Sequence, residues 1–185
     1  MNVYLIDNYQ SCFPDRKGRD LTDAILGELL SRQGIEDRQI LRTEEGKPYI
    51  ASEEIHFSVS HSGGLFACAM AAEPMGIDIQ HTKGFSWEKL SRRYFAVDEQ
   101  AAVEEEGEEA FFRLWTRKEA LSKFLGGGLV HVLNREPVLG RQDVDFREIP
   151  LDEGIYGSLC VKRGGDTQAD LIHMDGKNFP EEKDT

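Results

Sequence analysis

At 185 residues the chain is long enough for one sizeable core, or for two small halves sharing an interface. Its 34 acidic against 22 basic residues give a net charge of −12, a field that disfavours nonspecific attachment to nucleic acid or to an anionic membrane. No apolar run reaches the roughly 20 residues needed to cross a bilayer, and Cys12, Cys68 and Cys160 are too scattered for a disulfide framework or a zinc site. The start, Met1 to Asp7, lacks the basic region and cleavage site of a secretory leader, so the expected location is the cytoplasm.

Val3 to Ile6 reads as a short strand. A polar loop follows with Arg16, Lys17 and Arg19, the densest positive cluster in the first half. Leu21, Ile25, Leu26, Leu29 and Leu30 recur at helical spacing and predict a core-packing helix from about Asp20 to Gln33, with Gly34 as its cap. Glu45-Gly46-Lys47-Pro48-Tyr49 combines a glycine turn with a proline that fixes the backbone. Ser60-His61-Ser62-Gly63-Gly64 is small and polar enough for amides and hydroxyls to approach an anion. Adjacent strand residues point to opposite faces and no nucleophile-elbow pattern is present, so a serine hydrolase is set aside.

Leu65 to Ala72 and Met75 to Gln80 predict two strands about a reversal at Glu73-Pro74. Ser86 is placed to cap a helix holding Trp87, Leu90, Tyr94 and Phe95. Lys89, Arg92 and Arg93 on that helix are either a solvated face or a contact for an acidic partner. Asp98 to Glu106 reads as a short acidic helix, and Gly107 separates it from a long helix over about Glu108 to Leu125. Gly126-Gly127-Gly128 ends that helix; without a Gly-x-x-x-x-Gly-Lys-Ser/Thr signature the glycines read as cap and loop. Strands are predicted over Asp143 to Ile149, Ile155 to Lys162 and Thr167 to Met174, and the polar residues 176–185 as a frayed tail.

Two stretches carry chemistry. In Gly76-Ile77-Asp78-Ile79-Gln80 the isoleucines alternate with Asp78 and Gln80 at the spacing of a pleated strand, which puts Asp78 and Gln80 on one face. In Trp115-Thr116-Arg117-Lys118-Glu119-Ala120-Leu121-Ser122-Lys123, helical spacing aligns Trp115, Glu119 and Lys123 on one stripe. A carboxylate on a strand can then face a carboxylate and an ammonium on a helix. Two acidic oxygens beside an amide oxygen suit a hard divalent cation such as magnesium, which keeps several waters and borrows ligands from a phosphate substrate. Alone, Glu119 and Lys123 would be an ordinary helical ion pair worth about 0.3 kcal/mol. Together with Asp78 they are a candidate phosphoryl-transfer site.

These stretches, with Phe57-Ser58-Val59-Ser60-His61-Ser62-Gly63 upstream, resemble the surfactin-synthetase-activating class of 4'-phosphopantetheinyl transferases over roughly residues 40 to 130. The family's signatures are Gly-x-Asp-x-Glu and Trp-x-x-Lys-Glu-Ala-x-x-Lys. The resemblance implies an α+β fold of two similar halves, about residues 1–74 and 75–175, related by an approximate two-fold axis with the active site at their interface. It implies transfer of the phosphopantetheine arm of coenzyme A to a serine of an apo carrier protein, releasing adenosine 3',5'-bisphosphate. The alternative is a degenerate relative that binds carrier or coenzyme A without turnover.

By the same resemblance Asp78, Gln80 and Glu119 hold magnesium, with manganese as a substitute, and Asp78, Glu119 and Lys123 are catalytic. Lys47 and Pro48 meet the adenine end of coenzyme A, while Ser60, His61 and Lys123 contact its phosphates. Proton removal from the carrier serine falls to Glu119, to a metal-held water or hydroxyl, or to a lysine of lowered pKa. Two positions depart from the pattern: Gln80 stands where the family commonly has Glu, and Asp23 where a phosphate-binding arginine is expected. Arg16, Lys17 and Arg19 are the substitute phosphate contacts. Carrier docking falls to Lys89, Arg92 and Arg93, and the resemblance implies a monomer.

Overall fold

The computed structural model describes residues 1–36, 38–52, 54–84, 86–126, 137–165 and 168–179. Strand β1 (Asn2–Asp7) opens the chain and, after a 3-10 turn at Tyr9–Ser11, helix α1 (Gly18–Arg32) follows. The short strands β2 (Leu41–Arg42) and β3 (Pro48–Tyr49) pair with each other, and β4 (His56–Ser62), β5 (Leu65–Ala71) and β6 (Met75–His81) come next. Helices α2 (Trp87–Tyr94), α3 (Val97–Glu106) and α4 (Glu108–Leu125) precede strands β7 (Val144–Glu148), β8 (Ile155–Lys162) and β9 (Asp170–Asp175). This is the α+β class implied by the sequence.

Strands β4, β5, β1 and β9 form one sheet in that order, and β6, β8 and β7 form another. Period-two alternation sorts the core. In β1, Tyr4 and Ile6 face α1 beside Ile25, Leu29 and Phe66, whereas Val3 and Leu5 face Ile77, Ile79 and Leu159 of the second sheet. Helix α4 covers the opposite side of that sheet, packing Phe111, Leu114 and Leu121 with Val144 and Cys160. The layers therefore run helix, sheet, sheet, helix. Five buried side chains on α1, Leu21, Ile25, Leu26, Leu29 and Leu30, each stabilise it by about 2 kcal/mol. All three cysteines are free and buried.

The two sheets meet along β4 and β6, and side chains make the junction. Ser58, Ser60 and Ser62, alternate residues of β4, accept hydrogen bonds from the backbone N–H groups of Ile77 (3.1 Å), Ile79 (3.3 Å) and His81 (2.9 Å). The outward N–H groups of a sheet's terminal strand need partners when they are covered, and these hydroxyls supply them. The hydroxyls of this segment thus serve the fold before they serve any ligand.

Several expectations are corrected. Ser86 sits at the N-cap of α2, but its hydroxyl makes no capping bond; at α3 the Glu99 side chain accepts from the Ala96 N–H at 2.9 Å. The last strand begins at Asp170, residues 166–167 lying outside the described residues, and it pairs in parallel with β1. The first sheet therefore takes an edge strand from late in the chain. Residues 176–179 do not fray either. Asp175 accepts from the Asn8 side chain (3.1 Å) and the Lys177 N–H (3.0 Å), and Phe179 is buried in the α1 core. Gly126 closes α4 with φ +76°, while Gly127, Gly128 and residues 180–185 lie outside the described residues.

Candidate active site

The candidate site lies where β6 passes under α4. At Gly76 the backbone of α4 runs against the strand with no room for a side chain, and two residues later Asp78 is 5% exposed. Asp78 Oδ1 accepts from Ser60 Oγ at 2.7 Å and from Lys123 Nζ at 2.8 Å. Its Oδ2 is buried and has no hydrogen-bond partner among the described residues. Ser158, directly opposite Asp78 in the β6–β8 register, carries a buried hydroxyl that also has no partner among the described residues. The period-two and helical readings thus bring together Asp78, Glu119 and Lys123 from segments forty residues apart.

Electrostatics follow from that crowding. Burial pushes the Glu119 carboxyl up to about 7, the neighbouring Asp78 charge adds to the rise, and Lys123 opposes it. Trp115, on the same stripe, turns into the core and stacks on Phe111 at 5.6 Å. Lys47 reaches from the β2–β3 turn to donate to the Lys123 carbonyl at 2.5 Å, and burial lowers its pKa. That bond satisfies a carbonyl in the last turn of α4 and ties the glycine-proline turn to that helix.

A cleft of about 590 Å³ opens beside these groups. Its lining includes Arg19, Arg42, Lys47 and Lys123 against two acids, Glu45 and Glu119, so an acidic protein presents a locally cationic surface there. Pro48, Ser60 and His61 also line it. His61 is exposed, and its ring stacks on Tyr9 at 5.6 Å. Of the three cations expected in the loop, Arg19 lies in the first turn of α1 and lines the cleft. Arg16 and Lys17 do not line it; Arg16 instead pairs with Asp20 at 3.4 Å and lies over the Phe13 ring.

Arg42 escaped the sequence reading. Its guanidinium pairs with Asp23 and donates to the Gly46 carbonyl at 3.1 Å. Asp23 therefore holds a cation presented from β2, where the resemblance led us to expect one on α1 itself. The pairing could have been sought as a charge reversal, but nothing in the sequence says which basic residue answers Asp23. A second omission is Lys118, whose ammonium meets Glu99 at 2.8 Å with both side chains essentially inaccessible. Glu99 also accepts from the Val138 N–H at 2.7 Å, so this buried pair braces α3, α4 and the chain leading into β7. On α2, Lys89, Arg92 and Arg93 are exposed, away from these contacts.

The donor set fits a hard divalent cation. Asp78 Oδ2 is an orphaned buried anionic oxygen, and Glu119 is raised partly by the charge of Asp78. Gln80 donates its amide N–H groups to the His81 carbonyl (3.0 Å) and Ser62 Oγ (3.3 Å), which turns its oxygen away from both acceptors. Among the described residues no group of three or more His, Cys, Asp or Glu could hold a metal; Asp78 and Glu119 are a pair. That set leaves ligands to water and phosphate, as magnesium prefers.

Sheet order and site together define an α+β protein with a cationic cleft lined by Glu119 and Lys123, the latter bonded to the buried Asp78. The chain belongs to the 4'-phosphopantetheinyl transferase superfamily, whose model matches residues 74–172. It is 35% identical over 131 residues to 4'-phosphopantetheinyl transferase Sfp of Bacillus subtilis (strain 168), covering 66% of this chain and 58% of that one. It is 33% identical over 166 residues to 4'-phosphopantetheinyl transferase gsp of Aneurinibacillus migulanus, covering 77% and 69% respectively. With 4'-phosphopantetheinyl transferase AcpT of Salmonella typhi it shares 34% over 118 residues, 60% of this chain and 62% of the relative. The match thus spans little more than half of the Bacillus protein's length. No helix among the described residues is long and apolar enough to cross a membrane.

Proposed function

We propose that the protein transfers the 4'-phosphopantetheine arm of coenzyme A to a serine hydroxyl of an apo acyl or peptidyl carrier protein, in a magnesium-dependent reaction that releases adenosine 3',5'-bisphosphate. The observation that carries this reading is the unpaired, buried Asp78 Oδ2 beside Glu119 and Lys123 at the edge of the cationic cleft. The names of the relatives support the same activity. Arg19, Arg42, Lys47 and His61 line the space for a polyanionic nucleotide, and Lys123 places a point charge at its inner end. Asp78, Glu119 and the Gln80 oxygen would hold the metal, which supplies charge neutralisation across the diphosphate.

In the transfer step the carrier serine oxygen forms a bond to the phosphorus that bears the pantetheine arm. The phosphorus–oxygen bond to the adenosine bisphosphate breaks, and the leaving oxygen keeps the electron pair. Glu119, beside Asp78 and Lys123, takes the serine proton. Exposed Lys89, Arg92 and Arg93 give an acidic carrier helix a complementary face, and the protein works as a cytoplasmic monomer.

Incubation of an apo carrier with coenzyme A and magnesium should add the mass of one phosphopantetheine group. Asp78→Ala and Glu119→Ala should each lower the rate at least a hundredfold. Full activity in both variants would refute the carboxylate site, and calorimetric binding of coenzyme A without any mass gain would identify a binding module.

A further inference from the structure

Ser58, Ser60 and Ser62 do the same work along the seam, yet Ser60 does something more. Its oxygen accepts the Ile79 N–H at 3.3 Å, which leaves its own proton to be directed to Asp78 Oδ1 at 2.7 Å. Lys123 Nζ donates to the same oxygen at 2.8 Å. Both donors to the carboxylate thus converge on Oδ1, and Oδ2 is the oxygen with none. Ser60 is 8% exposed, so water does not compete freely for this arrangement.

We propose that Ser60 is a positioning residue that, with Lys123, saturates Asp78 Oδ1 and so presents Oδ2 as the oxygen available to a divalent cation. Ser60 thereby acts on the metal through the carboxylate. The inference rests on the metal-site reading given above. Hydrogen-bond partners of metal-binding carboxylates fix the ligand's orientation, and removing one commonly costs 10–100-fold in metal affinity.

Ser58 supplies a matched control within the same strand. It accepts the Ile77 N–H at 3.1 Å and is as deeply buried, but no bond joins it to Asp78. Manganese affinity, measured by electron paramagnetic resonance on the folded full chain, separates the two roles. Ser60→Ala should weaken manganese binding about tenfold or more, Ser60→Cys should do the same while keeping the side chain's size, and Ser60→Thr should restore it. Ser58→Ala should change it less than twofold. Equal manganese affinities in Ser60→Cys and wild type, or a Ser58→Ala loss matching that of Ser60→Ala, would overturn the positioning role while leaving the metal site standing. Absence of manganese binding by the wild type would instead remove the metal-site reading, and this inference with it.

Discussion

A Cβ built on Gly76 would stand 1.9 Å from the carbonyl oxygen of Ala120 and 2.7 Å from the backbone nitrogen of Phe124. Neither atom can move without shifting α4 as a body. The first residue of the strand motif is therefore glycine because the helix motif lies directly on it, and this contact sets how closely Asp78 approaches Glu119 and Lys123. Gly76→Ala should destabilise the protein by about 2–3 kcal/mol, as overpacking does. It should also lower transfer by more than its effect on the folded fraction. Thermal unfolding and carrier mass gain on the same samples test this, and an unchanged melting temperature would contradict the packing argument.

Glu119 makes the stability of the metal-free protein depend on pH. Its carboxyl sits at about 7 in the folded chain against an ordinary 4.5, so between those values the folded state holds more protons than the unfolded one. This contribution is fully present below about 4.5 and is lost as pH rises through about 7. Glu119→Gln removes the buried charge, so in the presence of chelator its melting temperature should gain on the wild type between pH 5 and pH 8. About 2–4 °C is expected for each kcal/mol relieved. A gap independent of pH would show that Glu119 titrates as an exposed carboxylate.

Arg42 and Asp23 test the cationic cleft. Removing a charge-assisted contact to phosphate costs about 1.5–3 kcal/mol, so Arg42→Ala should raise the KM for coenzyme A roughly tenfold or more with a smaller change in kcat. Asp23→Ala leaves the guanidinium in place but unties it, and a smaller rise is expected. Steady-state kinetics at fixed carrier concentration would measure both. If Asp23→Ala proves the more damaging, the pair matters for α1 packing and not for the ligand.

Gln80 donates to the His81 carbonyl, a bond that a carboxylate has no proton to make. Gln80→Glu should therefore cost about 1 kcal/mol of stability while leaving transfer within several-fold of the wild type, and the added charge should tighten manganese binding. Chemical unfolding and the resonance titration check the two halves of this expectation. Loss of activity with metal binding intact would mean that the amide is required for more than orientation.

Much of the site was legible because it sits on regular periodicities. The limits of α4 and β8 coincide with their sequence expectations, and Asp78, Glu119 and Lys123 lie on the faces that alternation and helical spacing assign them. Arg42 was not legible, since a two-residue strand between polar segments has no period to read. Glu99 was hidden in an acidic run that looks solvated, yet the ammonium of Lys118 folds over it and removes both from water. The alternation of Ser58, Ser60 and Ser62 was visible, but their partner strand is fixed by topology, which local spacing does not encode.

Strand β9 lies parallel to β1, with Asn2 opposite Asp170 and Asp7 opposite Asp175. A fragment that stops at residue 74 would expose the flank of β1 as an unpaired template, and the complementary fragment would carry a strand with nothing to join. Strand β9 thus works as a clasp on the first strand of the chain.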